Sequence, residues 1–244
     1  MIQVRGLTKR FGSRIAVGNV TFDAPNGAIT GLLGANGAGK TTTLRMIAGA
    51  LRPDQGHIGV GNATLGPDNT AVQRCLGSLL DHSGMYGRLT ARENIEYFGR
   101  LRGLDKQEMA RNVERVLAML GLNDLAERHV GEFSQGERMK VALGRALVHE
   151  PTHLLLDEPT NGLDVPTVRA FRDLLRTLRD SGCCILFSSH VLGDVQAVAD
   201  WIVVIANGTV VACGSVEEIC QRTGQSALED AFLELIQNSG RALC

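Results

Sequence analysis

Lysine is scarce in this chain: Lys9, Lys40, Lys106 and Lys140 are the only four among 244 residues. With arginine counted, 25 basic residues face 26 acidic ones, for a formal net charge of -1. A chain so balanced lacks the broad positive field on which non-specific nucleic-acid binding draws, so no nucleic-acid partner is expected. Long hydrophobic runs are missing too. The longest, such as WIVVIA from Trp201 to Ala206, fall far short of the roughly 18 to 20 apolar residues that cross a bilayer, and they suit buried strands. The opening MIQVRGLTKR carries charges where a secretion signal needs an apolar segment, which predicts a cytoplasmic protein. The six cysteines form no CxxC pair and have no histidine at metal-ligand spacing, so they are expected to stay thiols and to build no metal cage. Internal repeats, low-complexity tracts and flexible linkers are also absent.

What is present suits a full core: 44% of residues are hydrophobic and 21% charged, as in one large α/β domain or such a domain with an inserted lobe. IQVRGL, IAVGNVTFD and AITGLLG read as strands separated by turn residues such as Pro25-Asn26-Gly27, and helices are expected to dominate next. In DKQEMARNVERVLAMLGL, Met109, Val113, Val116, Leu117 and Leu120 share one helical face, and Gly121 supplies a stop. From His153 the pattern becomes HLLLD, a helix, CILFSS, a second helix, WIVVIA and TVVAC. Strands alternating with helices predict a mostly parallel, helix-covered sheet. The expected organisation is an α/β core formed by residues 1–87 and 151–226, an inserted helical lobe at 88–150, and a terminal amphipathic helix and tail at 227–244.

One segment carries a specific chemistry. GANGAGKT, Gly34 to Thr41, matches G-x-x-x-x-G-K-[ST], follows the apolar strand Ile29 to Leu33 and opens the helix TTTLRMIAG. Glycine at such positions lets backbone N–H groups approach phosphates with no Cβ in the way. Gly34, Asn36, Gly37, Ala38 and Gly39 are therefore assigned to a phosphate-binding loop, with Thr42 beside them at the helix start. Lys40 would reach the β and γ oxygens of a bound nucleotide, and Thr41 would ligate Mg²⁺. A second strand, HLLLDE, ends in Asp157, expected to hold hydrated Mg²⁺, and Glu158, expected to polarise the attacking water. The chain has no N-K-x-D base-reading motif of the kind GTPases carry.

GEFSQGERMK, Gly131 to Lys140, is open to two readings. Its Ser134-x-x-Glu137 spacing is that of a helix capping box. The same unpaired N–H groups at a helix start also bind anions, so local sequence alone does not choose between them.

The order GANGAGKT, FSQGE, HLLLDEPTNGLD, LFSSH resembles the nucleotide-binding subunits of ABC transporters over nearly the whole chain. That resemblance implies a P-loop NTPase core with N-terminal antiparallel strands, ATP hydrolysis, and a head-to-tail dimer, with the same or a different protomer, working beneath an integral-membrane permease. The chain would then sit on the inner face of the cell membrane. By the same resemblance Ser134 and Gly136 would contact the γ-phosphate bound to the opposite protomer. Phe11 would stack on adenine, Asp164 would lie at the dimer interface, and His190 would contact the γ-phosphate beside Lys40 and Glu158. The stretch SGMYGRLTARENIEYFGRL resembles ATP subunits of exporters, including the sodium-efflux branch, and makes Met85, Tyr86 and Leu89 candidates for permease docking. A soluble ABC-type ATPase acting on nucleic acid or ribosomes is the alternative, although such relatives usually carry two domains or a long coiled coil.

Two departures stand out. The family usually places a glutamine after the strand that follows the phosphate-loop helix, whereas this chain has Asp81 or His82, and Asp81 is a candidate oxygen ligand for Mg²⁺. In the signature, Gln135 stands in place of a glycine and Glu137 in place of a glutamine. Glu137 would repel a γ-phosphate unless Arg138 or a partner offsets it.

Overall fold

A computed structural model describes residues 1–66, 68–80 and 84–238. β1 (Ile2–Phe11) and β2 (Arg14–Ala24) pair antiparallel, and β3 (Ile29–Leu33) leads into the phosphate loop and α1 (Lys40–Ile47). Helices do not take over at once after α1. β4 (Gln55–Val60) pairs antiparallel with β1, and β5 (Ala63–Thr64) with β4, giving a four-stranded sheet in the order β2-β1-β4-β5. Gly56, Gly59 and Gly61 hide these strands in the sequence, because positions without a side chain interrupt the alternation that marks a strand. In β1 the alternation is plain, with Ile2 and Val4 buried on one face.

The second sheet runs β10-β9-β3-β8-β7-β6. α2 (Thr70–Cys75) precedes β6 (Leu76–Leu79), and β7 (His153–Asp157) and β8 (Cys184–Ser189) lie between β6 and the central β3. These strands and β9 (Trp201–Ala206) are parallel, while β10 (Thr209–Gly214) returns antiparallel at the edge. Every residue of β3, β7 and β8 is buried, as expected for parallel strands covered on both faces. Alternate residues divide between two apolar clusters. Ile29, Leu33, Leu154, Leu156 and Ile185 face the helices, while Leu32, Leu155 and Leu186 face α1 and the antiparallel sheet.

Between β6 and β7 the chain is helical: α3 (Ala91–Leu101), α4 (Lys106–Met119) and α5 (Gln135–Leu147), with two single 3₁₀ turns. α3, α4 and α5 each begin with a reciprocal capping box, Thr90 with Glu93, Asp105 with Glu108 and Ser134 with Glu137. The predicted apolar face of α4 is buried at all five positions, from 0% to 8% exposed, and each such side chain contributes about 1.5–3 kcal/mol on burial. These side chains join the same apolar cluster as Leu154 and Leu156 of the sheet, so the helical segment shares the core. After β7 come α6 (Val165–Asp180) and α7 (Leu192–Val198); α8 (Val216–Thr223) and α9 (Leu228–Gln237) follow β10. α9 turns Leu228, Ala231 and Leu235 inward, as its pattern predicts. Cys183 and Cys184 lie in the core, and burial pushes their thiols up to about 12 and about 11, so both remain protonated and unreactive.

Candidate active site

β3, β7 and β8 end side by side, and the chemistry-bearing residues sit at their carboxyl ends, where open parallel sheets place ligands. After β3 the chain must turn within a crowded space. A Cβ on Gly34 would lie 2.4 Å from Ile205 O, and one on Gly39, at φ +110°, would lie 2.7 Å from Ala16 O. Gly39 is also the N-cap of α1, and it offers no side chain to the first-turn N–H groups. In contrast to α3, α4 and α5, α1 thus keeps its positive end open to an anion.

A cavity of about 470 Å³ opens over this helix start, lined by Phe11, Arg14, Asn36, Gly37, Gly39, Lys40, Thr41, Thr42 and Glu158. Phe11 is 52% exposed on its rim. The side chain of Lys40 is 5% exposed, and its ammonium donates to Gly34 O at 2.7 Å and Ala35 O at 3.3 Å. It also meets Glu158 Oε1 at 3.2 Å. Ala38 shapes the loop from within, donating its N–H to Ala35 O at 3.1 Å.

Glu158 sits one residue beyond β7 in the left-handed region, at φ +47°, a conformation that costs a non-glycine residue about 1–2 kcal/mol. Its surroundings hold it there. Its N–H donates to Ser188 Oγ at 2.9 Å, and the Ser188 hydroxyl donates to Asp157 Oδ1 at 2.5 Å. Its second carboxylate oxygen, Oε2, lies 2.7 Å from His190 Nδ1 and accepts the His190 N–H at 3.3 Å. One carboxylate thus bridges Lys40 and His190, and a fully buried serine holds the backbone behind it and the carboxylate of Asp157.

Ser134, Gly136 and Asp164 do not join this cavity. They form a second group on the surface where α5 and α6 begin. Ser134 Oγ accepts the Glu137 N–H at 3.3 Å, and Glu137 Oε2 accepts the Ser134 N–H at 2.7 Å. The latter bond, foremost, holds the Glu137 carboxyl below its usual range. Of the two offsets left open, Arg138 reaches to Gly131 O at 3.0 Å, and the cations that help hold the Glu137 carboxyl low are Arg128 and Lys140. Asp164 caps α6 by accepting the Thr167 N–H at 3.0 Å, and its carboxyl too is held low by Thr167. Asp81 and His82 lie outside the described residues. Of the docking candidates, Tyr86 is 47% exposed and packs edge-on against Tyr97, whereas Met85 and Leu89 are half-buried. Sequence reading missed Ser188 and Arg14. Ser188 lies opposite Asp157 in the β7/β8 register, so only strand pairing reveals its role.

The family model described as ABC transporter matches residues 17–161. The ABC transporter ATP-binding protein NatA of Bacillus subtilis (strain 168) is 39% identical over 238 residues, covering 96% of this chain and 97% of the relative. The bacitracin transport ATP-binding protein BcrA of Bacillus licheniformis is 35% identical, covering 85% of this chain and 67% of the relative. A solved ATP-binding subunit of an ABC transporter superposes with a TM-score of 0.88 at 27% identity, over 96% of this chain and 99% of the other. The dimeric, post-hydrolysis cassette bound to ADP and phosphate shares the fold, with a TM-score of 0.80 at 24% identity over 88% and 99% of the two chains. By sequence over nearly its full length and by fold, the chain belongs to the ABC transporter family as one of its ATP-binding subunits.

Proposed function

We propose that this chain binds ATP with Mg²⁺ in the cavity between Phe11 and Glu158 and hydrolyses it to energise a separate integral-membrane permease, for export. The observation that carries this reading is the placement of Glu158, with one oxygen on Lys40 and the other on His190 beside an uncapped helix start. The Glu158 carboxylate neutralises Lys40. When phosphate takes over the Lys40 ammonium and the α1 N–H groups, Glu158 is released to accept a proton from water, with His190 holding its second oxygen. Phe11 offers a ring face to the base, and Gly34, Asn36, Gly37, Ala38 and Gly39 supply the loop around the phosphates, with Thr41 and Thr42 at its helical end.

Thr41 and Asp157 are oxygen donors of the class that Mg²⁺ takes, and the Ser188 bond fixes Asp157 for that task. The ion, when bound, would neutralise charge developing on the phosphate oxygens.

Ser134, Gly136 and Asp164 lie outside their own chain's cavity, which supports a dimer in which each subunit lends this group to the other's nucleotide. The Ser134 cap and that role are compatible, because a hydroxyl that accepts one N–H still donates its own proton. Met85, Tyr86 and Leu89, where the helical lobe of residues 88–150 begins, would lie toward the permease at the cytoplasmic face of the membrane. Among the described residues no helix is long and apolar enough to cross a membrane, so spanning segments would come from another chain. Purification of the Glu158→Gln protein from detergent-solubilised native membranes with ATP should bring down a multi-span membrane protein at fixed stoichiometry. Recovery with soluble partners only would refute the transporter role.

A further inference from the structure

The glutamine that replaces a signature glycine has a definite place. Gln135, the first residue of α5 after its Ser134 cap, donates from Nε2 to Asn161 O at 3.1 Å. Asn161 in turn donates its N–H to Glu158 O at 3.2 Å. The carboxamide lies on Gly162, which has φ +73°; a Cβ there would come within 2.4 Å of Gln135 Nε2 and 3.2 Å of Cδ. The neighbouring contact has the same sense, since a Cβ on Gly136 would lie 3.3 Å from Thr167 Oγ1, and Thr167 is held by Asp164.

From this geometry we propose that Gln135 is a positioning residue that latches the start of α5 to the turn following Glu158. Two hydrogen bonds run from the backbone of Glu158, which serves this chain's own nucleotide, to the Ser134–Gly136 segment, which serves the partner's. A glycine at position 135 offers no such connection. The bond is exposed, so it stabilises the fold little; its effect is to remove independent motion of two segments that face different nucleotides. The latch thus couples the two sites of one dimer, and it rests on the dimeric ATPase reading given above.

Measuring ATP turnover against ATP concentration tests this, using the complex purified from native membranes with wild-type, Gln135→Gly and Gln135→Glu chains. Gln135→Glu keeps side-chain length and helix propensity but has no donor and opposes the Asn161 carbonyl. Coupling between sites typically changes affinity on the order of 5- to 150-fold. The wild-type curve should therefore be cooperative, and both variants should move its Hill coefficient toward 1 while melting temperatures stay within a few degrees of wild type. Gly162→Ala, which drives the carboxamide off, should lower the Hill coefficient in the wild-type background and change it no further in Gln135→Gly. A non-cooperative wild-type curve, or a curve unchanged by both Gln135 variants, overturns the latch. Absence of wild-type turnover, or turnover indifferent to Glu158→Gln, overturns the ATPase reading instead.

Discussion

Replacing Ser188 by alanine tests how the site is held together. The Ser188 hydroxyl is fully buried, accepts the Glu158 N–H at 2.9 Å and donates to Asp157 Oδ1 at 2.5 Å. A hydrogen bond to a charged group contributes about 1.5–3 kcal/mol, and a buried N–H left without an acceptor costs about 1–3 kcal/mol. The two bonds share one network, so their sum overstates the loss, and Ser188→Ala should destabilise the protein by about 2–4 kcal/mol. Glu158 would also lose the bond that keeps it at φ +47°, and relaxation out of the left-handed region would swing the carboxylate from the line joining Lys40 and His190. Turnover should therefore fall by roughly the 10²- to 10⁴-fold that a general base supplies. ATP affinity should change much less, because Lys40 and the loop stay in place. Urea unfolding gives the first quantity, steady-state hydrolysis the second and nucleotide titration the third. A loss of stability below about 0.5 kcal/mol, the size of an ordinary surface change, together with near-normal turnover would refute the claim that this serine holds the Glu158 backbone and the Asp157 carboxylate in place.

Other expectations follow from single side chains. Phe11→Ala should leave stability nearly unchanged, because the ring is 52% exposed, yet raise the KM for ATP by roughly 5- to 150-fold, the value of about 1–3 kcal/mol of base stacking. Lys40→Ala should weaken nucleotide binding by roughly 10- to 100-fold, as loss of a charged contact does, which isothermal titration would show. Burial, reinforced by the Arg102 charge, pushes His149 down to about 4. The unfolded chain takes up that proton near pH 6.5, whereas the folded site resists it, so stability should drop as pH falls between these values. The loss is at most about 3 kcal/mol, less whatever solvent screens. Since His149 Nε2 lies 3.2 Å from Leu76 O, His149→Gln keeps a donor there and should flatten the pH dependence of urea unfolding in that window.

The parts of the fold and site that sequence displayed are those built from contiguous residues. The phosphate loop is a single run between a buried strand and a helix, so glycine spacing, Lys40 and Thr41 identify it together. Asp157 and Glu158 close an apolar strand, and α4 announced its buried face by helical spacing. What stayed hidden depends on residues distant in the chain. Ser188 matters only because β8 pairs in parallel with β7 and brings it opposite Asp157. The contact of Gln135 with Asn161 and Gly162 spans a turn that sequence placed in a different motif. β4 and β5 were obscured by glycine, and α8 by its short apolar face, since only Ile219 is buried in it, although its Ser215–Glu218 capping box was there to be read. The FSQGE segment shows the reach of local reading most clearly: its helix cap lies within one motif and is formed as the spacing predicts, whereas a contact across a dimer involves residues of another chain.

In the function proposed above, Glu158 is the base for ATP hydrolysis in a site whose nucleotide contacts do not depend on it. The most direct measurement compares ATP turnover and ATP affinity for wild-type and Glu158→Gln chains, each purified from native membranes with its permease. Turnover reduced by roughly 10²- to 10⁴-fold at unchanged or tighter ATP binding is the result this account predicts. More than half of wild-type turnover retained by Glu158→Gln would contradict it.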